Sequence, residues 1–304
     1  MHTDSLKTLI TNEKYQQKFG PHSQMPPIDE RMTYNGLISR QLIRKTCRHF
    51  KPDPVDNATI ELMVAGSQCS PTSGMLQTYS VLALTTKEEK DKLFAHDWNR
   101  DVIGGVDSHN LRVYYECPVF LIWIADLHRT EVLLTEALDN ELHDTNCIDF
   151  LSSAEINLKS VIDTAIVAQS FCMIAESYGY GTMYCGAIRQ INPRHFQEQY
   201  GMPHYCVPLF GMALGIPDTI NGAGAITKPR MPTANILHFG SYNPITGKAD
   251  LGGYNEWHSD GIKQGAYKSG DHLTFVQRLV ERFHISPAKT LIGDFFKKMG
   301  FEFK

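Results

Sequence analysis

The residues with the clearest chemistry are Arg44-Lys45-Thr46-Cys47-Arg48, three cations and a hydroxyl within five positions. At the end of a helical run, Arg44 and Arg48 stand four apart and would share one face. Two guanidinium groups so placed suit phosphate, which accepts planar, charge-assisted pairs of hydrogen bonds. The plain alternative is a solvated basic helix end, favoured by the dipole there. Further along lie a hydroxyl-rich turn, Ser70-Pro71-Thr72-Ser73-Gly74, with Gln77 beyond it, and a second basic group, Lys228-Pro229-Arg230.

The elements that must carry these groups follow from pattern. Residues 1–19 allow a short polar helix, and Gly20-Pro21 through Pro26-Pro27 break it; residues 1–28 therefore form an N-terminal arm, with one domain over 29–304. Asp29 is placed to cap a helix that runs through Leu37, Ile38 and Leu42 into the basic stretch. Asp56 caps another, with Ile60, Met63 and Val64 on its apolar face. The apolar, β-prone residues from Tyr79 to Leu84 read as a strand, Lys87 to Phe94 is a short charged helix, and His96 to Asn110 has no clear period and reads as a loop. Pro118 to Ala125 is apolar on both alternations, as a central strand covered on both faces should be. An acidic helix with Glu131 and Glu136 follows. Asn157 to Tyr178 is the longest helical signal, with small residues at Ala165, Ala168, Cys172 and Ala175 and wider apolar surface at Ile162 and Ile166. It reads as a core helix that also serves a subunit interface. Strands over Tyr180 to Cys185 and Tyr205 to Leu214 flank a helix starting near Pro193. The region 221–270 is rich in Gly, Pro and Asn with a loop-like Gly252 to Gly270 tract, and two helices close the chain, one lined by Leu273, Val276, Leu279, Val280 and Phe283.

Composition narrows the class. A chain of 304 residues, 42% hydrophobic, can bury a sizeable core. The formal charge of −4 argues against nucleic acid or a membrane surface as partner. The seven cysteines are scattered without C-x-x-C spacing, as expected of reduced thiols in the cytoplasm. The polar first residues contain no signal h-region, and the Pro118 to Ala125 run is too short to span a bilayer. Gly179-Tyr180-Gly181 and Gly222-Ala223-Gly224 both fail the dinucleotide fingerprint, and the sequence has no P-loop, G-x-S-x-G or H-E-x-x-H pattern. Cys47-Arg48-His49 and His204-Tyr205-Cys206 lack further ligands at metal spacing, so no metal is expected.

Taken together, Arg44-Lys45-Thr46-x-Arg48-His49-Phe50, Ser70 to Gln77, Tyr184-Cys185-Gly186-Ala187-Ile188-Arg189 with Asn192-Pro193, Met202-Pro203 through Val207-Pro208-Leu209-Phe210-Gly211 to Pro217, and Lys228-Pro229-Arg230 resemble the FMN-dependent nitroreductase family in order and spacing. The closer likeness is to its larger, NADPH-preferring oxygen-insensitive nitroreductases and flavin reductases.

The resemblance implies an α+β fold, a mostly antiparallel sheet wrapped by helices, in a homodimer with FMN at the subunit interface. It places Arg44, Lys45 and Thr46 at the FMN phosphate with Lys228 and Arg230, and Arg48 near flavin N1 and O2 as an electrostatic stabiliser. Pro71, Thr72 and Ser73, with Gly74 and Gln77, match the segment reaching the flavin from the partner subunit. Gly186, Ala187 and Ile188 match the turn whose backbone N–H faces N5, with Ala187 where the family has a second glycine. Asn110 is the nearest candidate for the family's amide contact. The reaction implied is ping-pong: NADPH or NADH delivers hydride to N5, and a nitroaromatic, quinone or flavin acceptor then takes two electrons. The cofactor carries the chemistry, so no side-chain nucleophile is required. Dehalogenating or flavin-fragmenting chemistry on the same fold, and a redox sensor with little turnover, are the alternatives. Lys263 and Lys268 for the NADPH 2′-phosphate, and Tyr242 and Trp257 for substrate stacking, compete with ordinary loop roles. Cys47 reads as structural.

Overall fold

The computed structural model describes residues 11–21, 23–25, 36–93, 109–140, 146–219, 227–263, 273–283 and 292–301. In chain order the helices and strands are α1 (Asn12–Phe19), α2 (Gly36–Ile43), α3 (Asn57–Gln68), β1 (Tyr79–Leu84), α4 (Lys87–Leu93), α5 (His109–Glu116), β2 (Val119–Asp126), α6 (His128–Asn140), α7 (Asn146–Asp149), α8 (Ala154–Ser177), β3 (Gly181–Cys185), α9 (Pro193–Tyr200), β4 (Cys206–Gly215), α10 (Tyr254–Lys263), α11 (Phe275–Phe283) and α12 (Ile292–Lys298). They divide into two compact units: residues 1–46 with 223–285, and residues 47–222 with 286–304.

The second unit is built on an antiparallel sheet of order β1-β2-β4-β3. Strand β2 is buried along nearly its whole length because its two alternations feed different cores. Val119, Leu121 and Trp123 join Ile60 and Met63 of α3 and Val167, Ala168 and Phe171 of α8. Phe120, Ile122 and Ile124 join the opposite cluster with Leu84, Phe196, Met299 and Phe301. Apolar residues at every position therefore have a use, as in a sheet covered on both faces. Opposite β2, Trp123 pairs with Phe210 and Ile124 with Pro208, so Leu209 is the extra residue of a bulge. Pro208 has no amide to give the ladder, and a bulge is where a strand tolerates it.

Local signals place the helices well. Asp56 accepts the Thr59 amide at 2.8 Å and starts α3. Ser153 caps α8, which begins at Ala154, one turn sooner than its apolar pattern shows. By length and composition α8 is long and apolar enough to cross a membrane. Here one side of it packs on the sheet and buries Asn157, Asp163 and Glu176. Ala168, Cys172 and Ala175 are buried as their spacing predicts, whereas Ala165, Ile162 and Ile166 face outward.

The first unit pairs α1 with α2 and α10 with α11. Thr11 caps α1, and Lys14 Nζ donates to Ser39 Oγ of α2 at 2.9 Å. The glycine-rich tract is not all loop, since α10 runs through its first half. Its start is held by burial of Tyr254 and Asn255, the former packed at a tilt against the Phe275 ring, 5.0 Å between centroids, and the latter accepting the Val276 amide at 3.1 Å. That packing offsets the cost of about 1 kcal/mol for Gly261 inside the helix. On α11, Val280 and Phe283 of the expected apolar face are exposed. Of the loop expected over 96–110, the residues before His109 lie outside the described ones.

The basic stretch differs most from expectation. Helix α2 ends at Ile43, and residues 44–49 are not helical, so Arg44 and Arg48 do not share a helical face. The reason lies in the partners taken by the backbone. In the first unit the Ile43 carbonyl accepts the Thr227 hydroxyl at 3.2 Å and the Arg44 carbonyl accepts Lys18 Nζ at 3.1 Å. In the second, the Cys47 amide donates to Thr182 O of β3 at 2.9 Å, and Phe50 bridges Pro217. Gly181 permits that approach: a Cβ there would stand 2.6 Å from Cys47 Cβ.

Candidate functional site

In the second unit, the loop after α3 carries Pro71, Thr72, Ser73, Gly74 and Gln77. Ser73–Met75 is a single 3-10 turn in which Gly74 has φ 60°. Pro71, Gly74 and Gln77 are exposed, while Thr72 and Ser73 are half-buried. The Ser73 amide donates to Asp163 Oδ1 on α8 at 3.0 Å.

A second piece is the 3-10 turn Gly186–Gln190 at the end of β3. Gly186 is exposed, Ala187 half-buried, and Ile188 buried in the core. Arg189 fixes this turn to the sheet by donating through Nη1 to Leu209 O at 2.5 Å. The bulge supplies that acceptor, because the extra residue of a bulge is left out of the ladder. Arg189 is half-buried, and burial pulls its pKa below the usual arginine value.

Arg48, also half-buried, lies in the same unit. Burial drives the Cys185 thiol well above its usual range, and the Arg48 cation is among the groups drawing it back. The field of Arg48 therefore acts on the residue immediately before Gly186. Among the described residues no group of His, Cys, Asp and Glu is arranged to hold a metal ion.

In the first unit, the two basic segments assigned to phosphate meet on α1. Lys18 is buried, with its Nζ on Arg44 O at 3.1 Å, and its own carbonyl accepts the Arg230 amide at 2.7 Å. Pro229 is buried, and Arg230 Nη1 curls onto the Lys228 and Pro229 carbonyls at 3.2 and 3.1 Å. Lys18 thus holds the backbone of both segments, while its own ammonium and Arg230 Nη1 are engaged by carbonyls. The cations that these segments carry, Arg44, Lys45, Lys228 and Arg230, are of the kind that pairs with a dianionic phosphate. Lys45 is exposed and Thr46 half-buried.

Lys228 and Arg278 also act on half-buried His258 of α10, whose pKa is lowered from 6.5 chiefly by burial and further by these two cations. The fold thus holds the imidazole neutral while the unfolded chain begins to take a proton near 6.5. Stability from this residue is present above that value and is lost as pH falls through the lowered pKa. Melting curves from about pH 7 to about pH 5.5 should show a shallower loss of Tm in His258→Gln than in the parent protein.

The remaining candidates are Asn110, Lys263, Lys268, Tyr242 and Trp257. Asn110 stands in α5 with its side chain outside the described residues; the same holds for Lys263 at the end of α10, and all of Lys268 lies outside them. Tyr242 is exposed. Trp257 packs against the Gly20 backbone beside a cavity of about 360 Å³ lined also by Phe19, Tyr254 and Glu256. Sequence reasoning left Lys18 and Asp163 out and, though it quoted Arg189 within a motif, gave that residue no role. Lys14 and Lys18, four apart on one helical face, were a readable sign of acceptors on a neighbouring segment, and they take Ser39 Oγ and Arg44 O respectively. An aspartate inside the apolar run of α8 was a sign of a specific buried partner.

The sequence pattern of the Nitroreductase family matches residues 43–216, more than half of the chain. A Cr(VI) reductase from Pseudomonas sp. (strain G-1) is 30% identical over 270 residues, covering 87% of this chain and 99% of that protein. An FMN reductase (NADPH) from Bacillus subtilis (strain 168) is 26% identical, covering 88% of this chain and 98% of that protein. Among solved structures, B. megaterium NfrA1 superimposes with a TM-score of 0.74 at 26% identity, covering 88% of this chain and all of that one.

Proposed function

The chain belongs to the nitroreductase family, and from that premise we propose an FMN-dependent NAD(P)H oxidoreductase that works as a cytoplasmic homodimer. The observation that carries this reading is the meeting on α1 of two basic segments far apart in sequence, 44–46 and 228–230. The names of the relatives, an FMN reductase (NADPH) and several NADPH-dependent oxidoreductases, point to the same cofactor and reductant.

Arg44, Lys45 and Thr46, with Lys228 and Arg230, take the phosphate. Arg48 faces the N1 and O2 edge of the ring. The loop of Pro71, Thr72, Ser73, Gly74 and Gln77 covers the flavin of the other subunit, and Asn110 supplies an amide. Gly186, Ala187 and Ile188 present backbone N–H at N5, with Arg189 fixing their turn. When bound, FMN accepts hydride from NAD(P)H and passes two electrons to a nitroaromatic, quinone or flavin acceptor. The protein's share is to hold the ring, place a cation where charge develops and exclude competing reactions.

The apolar residues that α3 and α8 leave outward, Leu62, Leu158, Ile162 and Ile166, support a subunit interface. Ile162→Asp should convert a dimer to monomer in light scattering, and an unchanged mass would remove that assignment. Among the described residues no cysteine is assigned to a disulfide, in keeping with a reducing compartment.

The function is tested by the absorption spectrum of the purified protein before and after anaerobic NADPH. Flavin bands that bleach, and return when a quinone is added, are the expected result. A protein that takes up no flavin on incubation with FMN overturns the reading.

A further inference from the structure

We propose that Asp163 is a positioning residue for this reaction: buried in α8, it clamps both ends of the Ser73–Thr78 loop and so sets where that loop meets the flavin. The inference rests on the FMN reading above.

Asp163 is only 1% exposed. One carboxylate oxygen accepts the Ser73 amide at 3.0 Å, and the other accepts the Thr78 hydroxyl at 3.4 Å. Ser160, one turn earlier, donates its hydroxyl to Thr78 O at 2.7 Å, and the same carbonyl receives the Asp126 amide from β2 at 3.0 Å. Thr78 is thus gripped by the helix and by the sheet together. Between the anchors the chain bulges into solvent, with Met75 81% exposed.

The loop closes one 3-10 turn of its own, with the Met75 amide on Thr72 O and the Leu76 amide on Ser73 O at 3.2 Å each, yet its backbone is strained. Gly74, Met75 and Gln77 have φ of 60°, 58° and 52°, and for the two non-glycines this conformation is unfavourable. Such conformations persist where surrounding contacts over-determine them, and they gather at ligand clamps. Ser160 and Asp126 hold only the Thr78 end, whereas the buried Asp163 side chain alone reaches both ends, through an N–H and an O–H donor. Burying a carboxyl side chain for a loop end is costly. The cost makes sense where the position of Ser73 matters, and Ser73 lies in the segment assigned to the flavin.

Asp163→Ala removes both acceptors. Asp163→Asn keeps the shape, and its amide can accept from the Ser73 N–H while donating to Thr78 Oγ1, which has lone pairs to accept. FMN titration of the apo-protein by fluorescence quenching, with steady-state NADPH–quinone kinetics of the reconstituted enzyme, reads the effect. Asp163→Ala should weaken FMN about tenfold or more, and Asp163→Asn should recover affinity to within about threefold of the parent. The melting temperature of each apo-protein reports the purely structural share, which rescue of FMN affinity does not require. Should Asp163→Ala fail to fold, Thr78→Val removes one donor without changing side-chain shape and is expected to weaken FMN about threefold. Flavin affinity and turnover equal to the parent in Asp163→Ala, or in Thr78→Val where the first does not fold, overturn the clamp. A parent protein that takes up no FMN sinks the reading beneath it instead.

Discussion

Arg48→Ala is expected to slow the anaerobic bleaching of bound flavin by NADPH about a hundredfold, or about 2.7 kcal/mol, while the protein still purifies with flavin. The segment bearing Arg48 is fixed on both sides. Cys47 N donates to Thr182 O at 2.9 Å, Asp218 N to His49 O at 2.9 Å and Lys51 N to Ile216 O at 2.8 Å. Phe50 next to it is buried. Truncating Arg48 therefore removes a charge without releasing the chain. A preorganised cation is worth most where charge develops during reaction, because its orientation costs nothing at that moment. Arg48→Lys should fall between, since a point charge keeps the field and loses the planar fork. Stopped-flow absorbance checks this. An unaltered bleaching rate in a flavin-loaded Arg48→Ala protein would remove Arg48 from the site.

What could be read in advance, and what could not, divides by the range of the interactions. Strand β2 and helix α3 were legible because residues within one element dictate them: apolar side chains on both alternations, and an aspartate three residues before the amide it caps. The end of α2 was not. Arg44 to Arg48 has the composition of a helix terminus, but the carbonyls and amides that would continue the helix are claimed by Thr227, Lys18 and Thr182, each remote in sequence. Helix α10 hid in a glycine-rich tract for a related reason, since Tyr254 and Asn255 are stabilised by α11. The motifs named the segments of the candidate site, because each is short and contiguous. Two of its supports, Lys18 and Asp163, sit in other elements, and the role of the third, Arg189 within the Gly186 turn, shows only in its bond to Leu209 O.

Lys18 makes the second large prediction specific. Because the Arg230 amide is held by Lys18 O, and Pro229 is buried, replacing both Lys228 and Arg230 by alanine leaves the backbone of the segment anchored. Two charge-assisted bonds to phosphate, at about 1.5–3 kcal/mol each, predict FMN binding weaker by at least about a hundredfold. The Arg230 bonds to the Lys228 and Pro229 carbonyls are lost along with the charge, so affinity for FMN alone does not isolate the phosphate. Riboflavin does, because it carries the same ring without the phosphate. If these cations read the phosphate, the parent protein prefers FMN strongly, and the double variant binds FMN little better than riboflavin. General damage would weaken both ligands alike and leave their ratio unchanged. Added salt should erode the preference of the parent protein more than that of the variant, since screening acts on the charges that remain. A double variant that keeps stoichiometric flavin through purification, with the preference intact, would move the phosphate away from Lys228 and Arg230.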